Sequence, residues 1–156
     1  DVLTTLPNRY AIELFLNNNI DSDIITVICD LDDFKQINDN FGHPQGDVVL
    51  REFGIILKRL LSQNIFVGRY GGEEFAVILT ETDIEQSIIP LERFRKTVQT
   101  LALNYQGQEV NVTVSIGACQ LTPEMTTKEA FLQKADEALY EAKNSGRNKT
   151  ILSNCQ

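Results

Sequence analysis

Two clusters of acidic residues are the part of this sequence best suited to chemistry. Residues 71–75 read Gly-Gly-Glu-Glu-Phe and lie between two apolar runs, so the two glutamates follow a turn that we expect only glycine to make easily. Residues 30–33 read Asp-Leu-Asp-Asp and end another apolar run. Carboxylate oxygens bind Mg²⁺, commonly together with substrate phosphates. If the clusters meet in space, they predict a metal-dependent phosphoryl or nucleotidyl transfer site.

Strand geometry predicts which of these acidic side chains face the same side. Asp30 and Asp32 are two residues apart, so on an extended strand they share a face, whereas Glu73 and Glu74 point to opposite faces. One glutamate can then bind a metal while the other accepts a proton or binds a second metal. The structural alternative is a solvated hairpin end and a strand-to-helix turn with Asp33 as N-cap.

The residues after the acidic strand suit a nucleotide. Phe34 and Lys35 open a predicted helix, whose free backbone N–H groups favour phosphate. Asn38 lies one helical turn past Phe34. A carboxylate such as Asp47 accepts hydrogen bonds from N1–H and the 2-amino group of guanine, and an amide can pair with O6 or N3. The alternatives are a solvated Lys35 and an Asp47 that caps the next helix.

A pair of basic residues lies near the end of the last predicted helix. Lys143 and Arg147 are four residues apart and could hold the β- and γ-phosphates of a nucleotide. Basic residues at a helix C-terminus also simply complement the helix dipole. Both interpretations stay open from the residues alone.

Composition limits the range of functions. The chain has 156 residues, 42% of them hydrophobic, which fits one globular domain, and no apolar stretch approaches the roughly 18 residues that span a bilayer. Its formal net charge of −8 argues against binding nucleic acid through the phosphate backbone, which requires a basic face. We therefore expect neither nucleic acid binding nor direct membrane contact by this domain.

Apolar periodicity predicts the elements that position these residues. The chain also begins abruptly inside an organised segment, which predicts a domain of a longer protein. The predicted elements form an α/β or α+β sandwich with a mixed sheet. In chain order they are a turn at 4–8 and a short helix, a buried strand at 24–31, a short helix at 34–41, a loop at 42–46, a helix at 47–61, hairpin strands at 65–69 and 75–79, a helix at 83–103, a half-buried strand at 110–119, a helix opened by a capping box at 126–129 and stopped by Gly146, and an edge strand at 150–152.

In these residues the chain resembles the GGDEF domain of diguanylate cyclases, here in its GGEEF form. The resemblance covers nearly the whole length and keeps its motifs in order. The matching segments are 1–9, 30–39, 41–43, 46–47, 69–75, 115–117, 135–136, 138–140, 142–143 and 146–148.

The resemblance implies a fold and a reaction. The fold would be a central five-stranded, mixed and largely antiparallel sheet surrounded by helices, like nucleotidyl cyclases and polymerase palm domains. The reaction would convert two GTP molecules into cyclic di-GMP and two pyrophosphates. Because each domain holds one GTP, two copies must face each other, at least transiently. Residues 1–156 would be one cytoplasmic domain, forming the C-terminal part of a longer signalling protein that could be anchored in a membrane elsewhere.

The resemblance also implies roles for single residues. Mg²⁺ (or Mn²⁺) would bind to Asp30, the backbone carbonyl of Leu31, Glu73 and Glu74. Glu73 would also accept the proton of the attacking 3′-hydroxyl, and Lys35 would stabilise the transition state. The remaining substrate contacts would come from Asn38 and Asp47 on guanine, His43 near the nucleotide, and the N–H groups around Phe34 with Lys143 and Arg147 on the triphosphate.

The sequence departs from the family pattern at two places. Thr5 stands where many members have glycine, in a segment that we interpret as structural. Ser62 and Ile65 occupy the positions of an Arg-x-x-Asp product-inhibition site, which predicts that this site is absent. Arg93 and Arg95 could form a secondary site, although solvated helix charges are the simpler interpretation.

Two other functions compete with cyclic di-GMP synthesis. One is a catalytically silent GTP-binding domain that regulates a neighbour, although none of the signature acids is lost here. The other is an enzyme of the same family that uses another purine. Asp47 argues for guanine, because a carboxylate repels the acceptor N1 of adenine.

Overall fold

A computed structural model describes residues 1–19, 24–60, 65–80, 82–101, 103–122 and 127–153. No helix in these ranges is both long and apolar enough to span a lipid bilayer. The helices are α1 Arg9–Asn18, α2 Phe34–Phe41, α3 His43–Leu60, α4 Ile84–Gln99 and α5 Lys128–Asn144. The strands are β1 Ile24–Leu31, β2 Ile65–Arg69, β3 Glu74–Thr80, β4 Leu103–Tyr105, β5 Gln108–Val110, β6 Val114–Gln120 and β7 Thr150–Leu152.

Five of the strands form one mixed sheet in the order β2-β3-β1-β6-β7. The central strand β1 is antiparallel to both β3 and β6, and only β7 runs parallel to its neighbour β6. This confirms the prediction of a five-stranded, mixed and largely antiparallel sheet. The predicted edge strand at 150–152 is β7.

Helices cover both faces of the sheet, so β1 is buried on both sides. Alternate residues such as Val27 and Cys29 pack with α2, α3 and α4, whereas Ile24 and Ile28 pack with α1 and α5. A strand buried on both faces requires a continuous apolar run. That run ends at Asp30, where β1 reaches the edge of the core.

The prediction of a loop at 42–46 is wrong, because α3 begins at His43. Gly42 ends α2 with φ 90°, a conformation that glycine adopts without strain. Pro44 lies in the first turn of α3, where its missing N–H needs no partner. The glycine and proline therefore mark a break between two helices, and Gly46 lies inside the second one.

The half-buried strand predicted at 110–119 is also wrong. The segment divides into β5, which ends at Val110, and β6, which is buried along Val114–Cys119. Helix α5 packs directly onto β6, and Ser115 is buried. Asn111 is exposed, but it lies between the two strands. The helix predicted to end at 103 ends at Gln99, and β4 and β5 form a separate hairpin through Gln106 and Gly107, both with positive φ.

The caps of α5 follow the prediction in part. Thr127 is the N-cap, and its side chain accepts a hydrogen bond from the N–H of Ala130. Thr126, the first residue of the predicted capping box, lies outside the described residues. The helix ends before Gly146, which has φ 123°. These caps set the ends of the helix that carries Lys143.

Candidate nucleotide and metal site

The register of the sheet brings the two acidic clusters together. Asp30 in β1 lies directly opposite Glu74 in β3. Residues that are opposite each other in an antiparallel pair project from the same face. Glu73 precedes Glu74, and its carbonyl accepts a hydrogen bond from the N–H of Leu31 at 3.4 Å. Asp30, the Leu31 backbone and the two glutamates thus meet at one end of the sheet.

Asp30 has an unusual electrostatic environment. Burial raises the pKa of its carboxyl to about 7, assisted by Glu73 and Glu74 and opposed by Lys143. The Lys143 ammonium lies 3.5 Å from Oδ1, but no described group donates a hydrogen bond to this buried atom. The same ammonium is 3.3 Å from the Leu31 carbonyl oxygen. A cationic group therefore already rests against two of the proposed metal ligands.

We predict that Asp30→Asn stabilises the metal-free protein at pH 8 more than at pH 5. A carboxyl with a folded pKa of about 7 and an unfolded pKa of about 3.9 disfavours folding once it ionises. This destabilisation is absent well below the unfolded pKa, grows as pH rises, and is complete above the folded pKa. Thermal unfolding in a chelator at both pH values measures it.

Asp39→Asn is the matched control for that prediction. Asp39 is exposed on α2, and its replacement removes the same unit of charge. Its melting-temperature change should be the same at pH 5 and pH 8. An equal shift at both pH values for the Asp30 variant would contradict the burial argument.

Glu74 faces a cleft between the β2–β3 hairpin, α1 and α5. The cleft has a volume of about 410 Å³ and is lined by Arg9, Tyr70 and Asp136 among others. The guanidinium of Arg9 lies over the Tyr70 ring, 4.5 Å from its centroid. Burial raises the pKa of Glu74, and Asp136 and Glu73 raise it further. Like Asp30, Glu74 is a carboxylate that a cation would stabilise.

The turn at Gly71 and Gly72 does not need glycine for its backbone, contrary to expectation. Neither residue has positive φ, and a Cβ on Gly72 would meet no atom within 4 Å. The side chain of Arg69 stabilises the turn by hydrogen bonds. Its Nη2 donates to the Gly72 carbonyl at 2.7 Å, and its Nη1 pairs with Asp1 at 3.2 Å. The sequence alone indicates no role for this arginine.

Asp32 is the centre of a buried hydrogen-bond network that the sequence alone does not indicate. Its carboxylate is 1% exposed and accepts hydrogen bonds from Ser115, Thr113, Lys143 and the N–H of Asn148, at 2.6–3.0 Å. Burial alone would raise the pKa of Asp32, but these hydrogen bonds lower it below its ordinary value. Asp32 therefore stays ionised and holds Lys143 beside Asp30.

The loop between α5 and β7 carries the second predicted phosphate contact. Arg147 has φ 64°, is half-exposed and lies 3.7 Å from Asp33, so it is free to exchange partners with a ligand. Asp33 occupies the N-cap position of α2 without making the predicted capping hydrogen bond. Arg95 Nη1 holds the loop through Asn148 Oδ1 at 2.9 Å, so it is not the solvated charge that we expected.

The predicted guanine contacts lie on α2 and α3. Asn38 is half-buried, and its Oδ1 is buried against Gly46 without a hydrogen-bond partner among the described residues. His43 and Asp47 are exposed on α3. Because α3 begins at His43, Asp47 is not an N-cap. Helix capping therefore does not explain the aspartate at position 47. Its contact with guanine stays a prediction.

The other predicted positions are placed as follows. Phe34 opens α2 and is 7% exposed, whereas Lys35 is exposed beside it. Ile65 opens β2 and is half-buried. Ser62 lies outside the described residues. The structure brings the acids and Lys143 together, with Asn38 and Asp47 on the neighbouring helices.

The oxygen donors at this site suit Mg²⁺ better than they suit a metal whose ligands all come from protein. Among the described residues, no three His, Cys, Asp or Glu side chains converge as a preformed metal cage. Mg²⁺ typically uses one or two carboxylates and completes its shell with water and substrate phosphates. Asp30 Oδ1, which accepts no hydrogen bond from the described residues, and the nearby Leu31 carbonyl match that requirement.

The chain is similar in sequence to proteins of one known family. Residues 1–149 match the family model described as diguanylate cyclase, GGDEF domain. Diguanylate cyclase A of Treponema denticola is 40% identical over 81% of this chain, and diguanylate cyclase DgcP of Pseudomonas aeruginosa is 37% identical over 96%. The chain spans only 34% and 23% of the lengths of these relatives.

A solved structure shows the same fold. The coiled coil and GGDEF domain of DgcB from Caulobacter crescentus, in complex with c-di-GMP, matches with a TM-score of 0.92 at 30% identity. The match covers 98% of this chain and 84% of that one. The arrangement of helices around the mixed sheet is therefore shared.

Proposed function

The chain belongs to the diguanylate cyclase GGDEF domain family, and we propose that it condenses two GTP molecules into cyclic di-GMP and two pyrophosphates. The observation that carries the proposal is the pairing of Asp30 with Glu74 across β1 and β3, beside the Leu31 carbonyl. The curated relatives named as diguanylate cyclases support it. We interpret the Gly-Gly-Glu-Glu-Phe sequence at 71–75 as the GGEEF form of the family signature.

A divalent cation completes the proposed site. Asp30, the Leu31 carbonyl, Glu73 and Glu74 would hold Mg²⁺ (or Mn²⁺). When bound, the metal would activate the attacking oxygen and neutralise charge on the phosphates. The Lys143 ammonium now lies against two of these ligands, 3.5 Å from Asp30 and 3.3 Å from the Leu31 oxygen. Lys143 would retain its 3.0 Å contact to Asp32 and turn its remaining donors to phosphate.

The side chains at the sheet end divide the transfer steps. Glu73 would take the proton of the 3′-hydroxyl. The hydroxyl oxygen would at the same time form a bond to the α-phosphorus of the facing GTP. The bond from that phosphorus to the β-phosphate oxygen breaks, and pyrophosphate leaves. Lys35 would stabilise the charge that develops, because it is an exposed cation on the first turn of α2. The step occurs twice in each product molecule.

Substrate binding would use both ends of the nucleotide. The N–H groups around Phe34, together with Lys143 and Arg147, would hold the triphosphate. Asn38 and Asp47 would pair with guanine, with His43 nearby. Asn38 lies on α2 and Asp47 on α3, so the guanine base would bridge the two helices across the break at Gly42.

The reaction requires two copies of the domain. One site holds one GTP, so the 3′-hydroxyl of each nucleotide must reach the α-phosphate of the other. We propose a twofold encounter of two identical domains, which can be transient. We also place the domain in the cytoplasm, because GTP must be supplied there.

The deciding experiment is incubation of the concentrated domain with GTP and Mg²⁺, with products separated by chromatography. Formation of cyclic di-GMP at a rate that rises with the square of protein concentration supports the cyclase and its bimolecular encounter. Tight GTP binding without product, even when a fused coiled coil forces dimerisation, would instead indicate the silent regulatory domain.

We predict that product does not inhibit this domain through the positions of Ser62 and Ile65. Neither the hydroxyl of Ser62 nor the sec-butyl side chain of Ile65 offers the charged, bidentate contacts of Arg and Asp to a guanine or phosphate. Initial rates with added cyclic di-GMP test this. Submicromolar inhibition that disappears when Ser62 is replaced by Ala would contradict the prediction.

A further inference from the structure

Gly46 is a helix residue whose backbone does not call for glycine. It is the fourth residue of α3, at the end of the first turn, and does not have positive φ. A glycine inside a helix is less favourable than alanine by roughly 0.8–1.0 kcal/mol. Some other feature of the fold must therefore account for glycine at this position.

The space around Gly46 is filled by the side chain of Asn38. A Cβ built on Gly46 would lie 1.9 Å from Asn38 Oδ1 and 3.0 Å from its Cγ. The Phe34 ring is the next neighbour at 3.2 Å. Both neighbours belong to α2, so the missing Cβ lets the Asn38 amide fit between the two helices.

A polar group in this space is not explained by core packing alone. At Gly117 in β6, for comparison, the missing Cβ makes room for backbone atoms of α5. At Gly46 the nearest atom is an amide oxygen that is buried and has no hydrogen-bond partner among the described residues. The arrangement therefore holds the Asn38 amide in one position but gives its oxygen no hydrogen bond from the part of the chain that the structure describes.

We propose that Gly46 is a specificity-determining positioning residue for the nucleotide base. Its missing side chain fixes the Asn38 amide between α2 and α3, and this position decides how strongly the site selects guanine. The inference rests on the proposed function, in which Asn38 and the adjacent Asp47 contact the base. It assigns no contact with substrate to Gly46 itself.

Gly46→Ala should separate binding from folding. The atom nearest the new Cβ ends a flexible side chain, so the amide can rotate away and the fold can persist, with a melting temperature within about 4 °C of the native value. The rotated amide loses its pairing with guanine. We expect GTP affinity to fall about tenfold, which corresponds to one lost hydrogen bond, and the preference for GTP over ATP to fall with it.

Gly54→Ala is the matched control in the same helix. Its Cβ would lie 3.5 Å from both Leu6 and Thr4, which is ordinary contact. This variant should bind GTP and ATP like the native domain. Isothermal titration with GTP, ITP and ATP, in the presence of Mg²⁺, provides the affinities for all variants.

A double-mutant cycle with Asn38→Ala distinguishes positioning from general disruption. Asn38→Ala should weaken GTP binding by itself and also remove the atom that the new Cβ would strike. Gly46→Ala should then have no further effect in that background, and the double variant should fold. If Gly46→Ala weakens binding equally in both backgrounds, or changes neither affinity nor selectivity, the inference is wrong.

The remaining outcomes separate this inference from the proposed function. If Asn38→Ala binds GTP normally while the native domain makes cyclic di-GMP, the inference fails and the cyclase proposal stands. If the native domain binds neither GTP nor ATP, both fail.

Discussion

Replacing Glu73 with Gln should lower cyclic di-GMP formation by at least about 100-fold, the usual contribution of a general base. Glutamine has the same shape and can still accept a hydrogen bond, but it cannot take the proton of the 3′-hydroxyl. GTP affinity at saturating Mg²⁺ should stay within about threefold, because the proposed phosphate and base contacts are elsewhere.

The position of Glu73 supports this role. Its carbonyl accepts from the N–H of Leu31 at 3.4 Å, which ties the residue to the end of β1. Its charge also helps to raise the pKa of Asp30, so its carboxylate lies close to the proposed metal ligand. A base at this position would contact both the metal and the attacking hydroxyl.

Glu141→Gln is the control for the Glu73 variant. Glu141 is exposed on α5, and its replacement changes the net charge by the same amount. Both variants should be assayed for turnover and for GTP binding, with Mg²⁺ titrated in each. Full activity of Glu73→Gln would show that another group takes the proton.

Gly117→Ala should reduce the free energy of unfolding by about 3 kcal/mol or more, the upper range for overpacking a core. A Cβ on Gly117 would lie 2.2 Å from the N of Leu139 and 2.4 Å from the O of Ala135. Both are backbone atoms of α5, which cannot rotate away as a side chain does. The helix must move off β6 as a unit.

The same displacement should weaken GTP binding in any Gly117→Ala protein that folds. Lys143 lies on α5, and its contacts to Asp32 and the Leu31 carbonyl depend on the helix position. Urea denaturation measures the stability, and nucleotide titration measures the second effect. Gly54→Ala serves again as control. A loss below about 1 kcal/mol, which is typical of an average substitution, would contradict the close packing.

The comparison of Gly46 with Gly117 shows why similar residues need different explanations. Both would place a Cβ within 2.2 Å of another atom. At Gly46 that atom belongs to a movable side chain, so we expect a change in specificity. At Gly117 it belongs to the backbone, so we expect a loss of folding. The sequence alone contains no distinction between them.

Long apolar patterns predicted the fold well where burial is uniform. The run at 24–31 matches β1 at both ends, because a strand buried on two faces needs apolar residues throughout. The strand predicted at 65–69 also matches β2 at both ends, although β2 is a largely half-buried strand at the edge of the sheet. The prediction failed at 42–46 and 110–119, where glycine, proline or alternation was interpreted locally. At 110–119 the packing of α5 on β6 overrides the local preference. At 42–46, Gly42 and Pro44 mark a junction between two helices, which composition does not distinguish from a loop.

The sequence by itself determined the chemical inventory of this protein: the two acidic clusters, the residues suited to guanine and phosphate, and a mixed sheet to carry them. These are properties of residue type and short spacing. The tertiary structure alone decided which of them meet. Asp32 binds Thr113, Ser115 and Asn148, which are 81, 83 and 116 residues away. Such contacts depend on strand register and helix packing, which set distances that no local pattern contains.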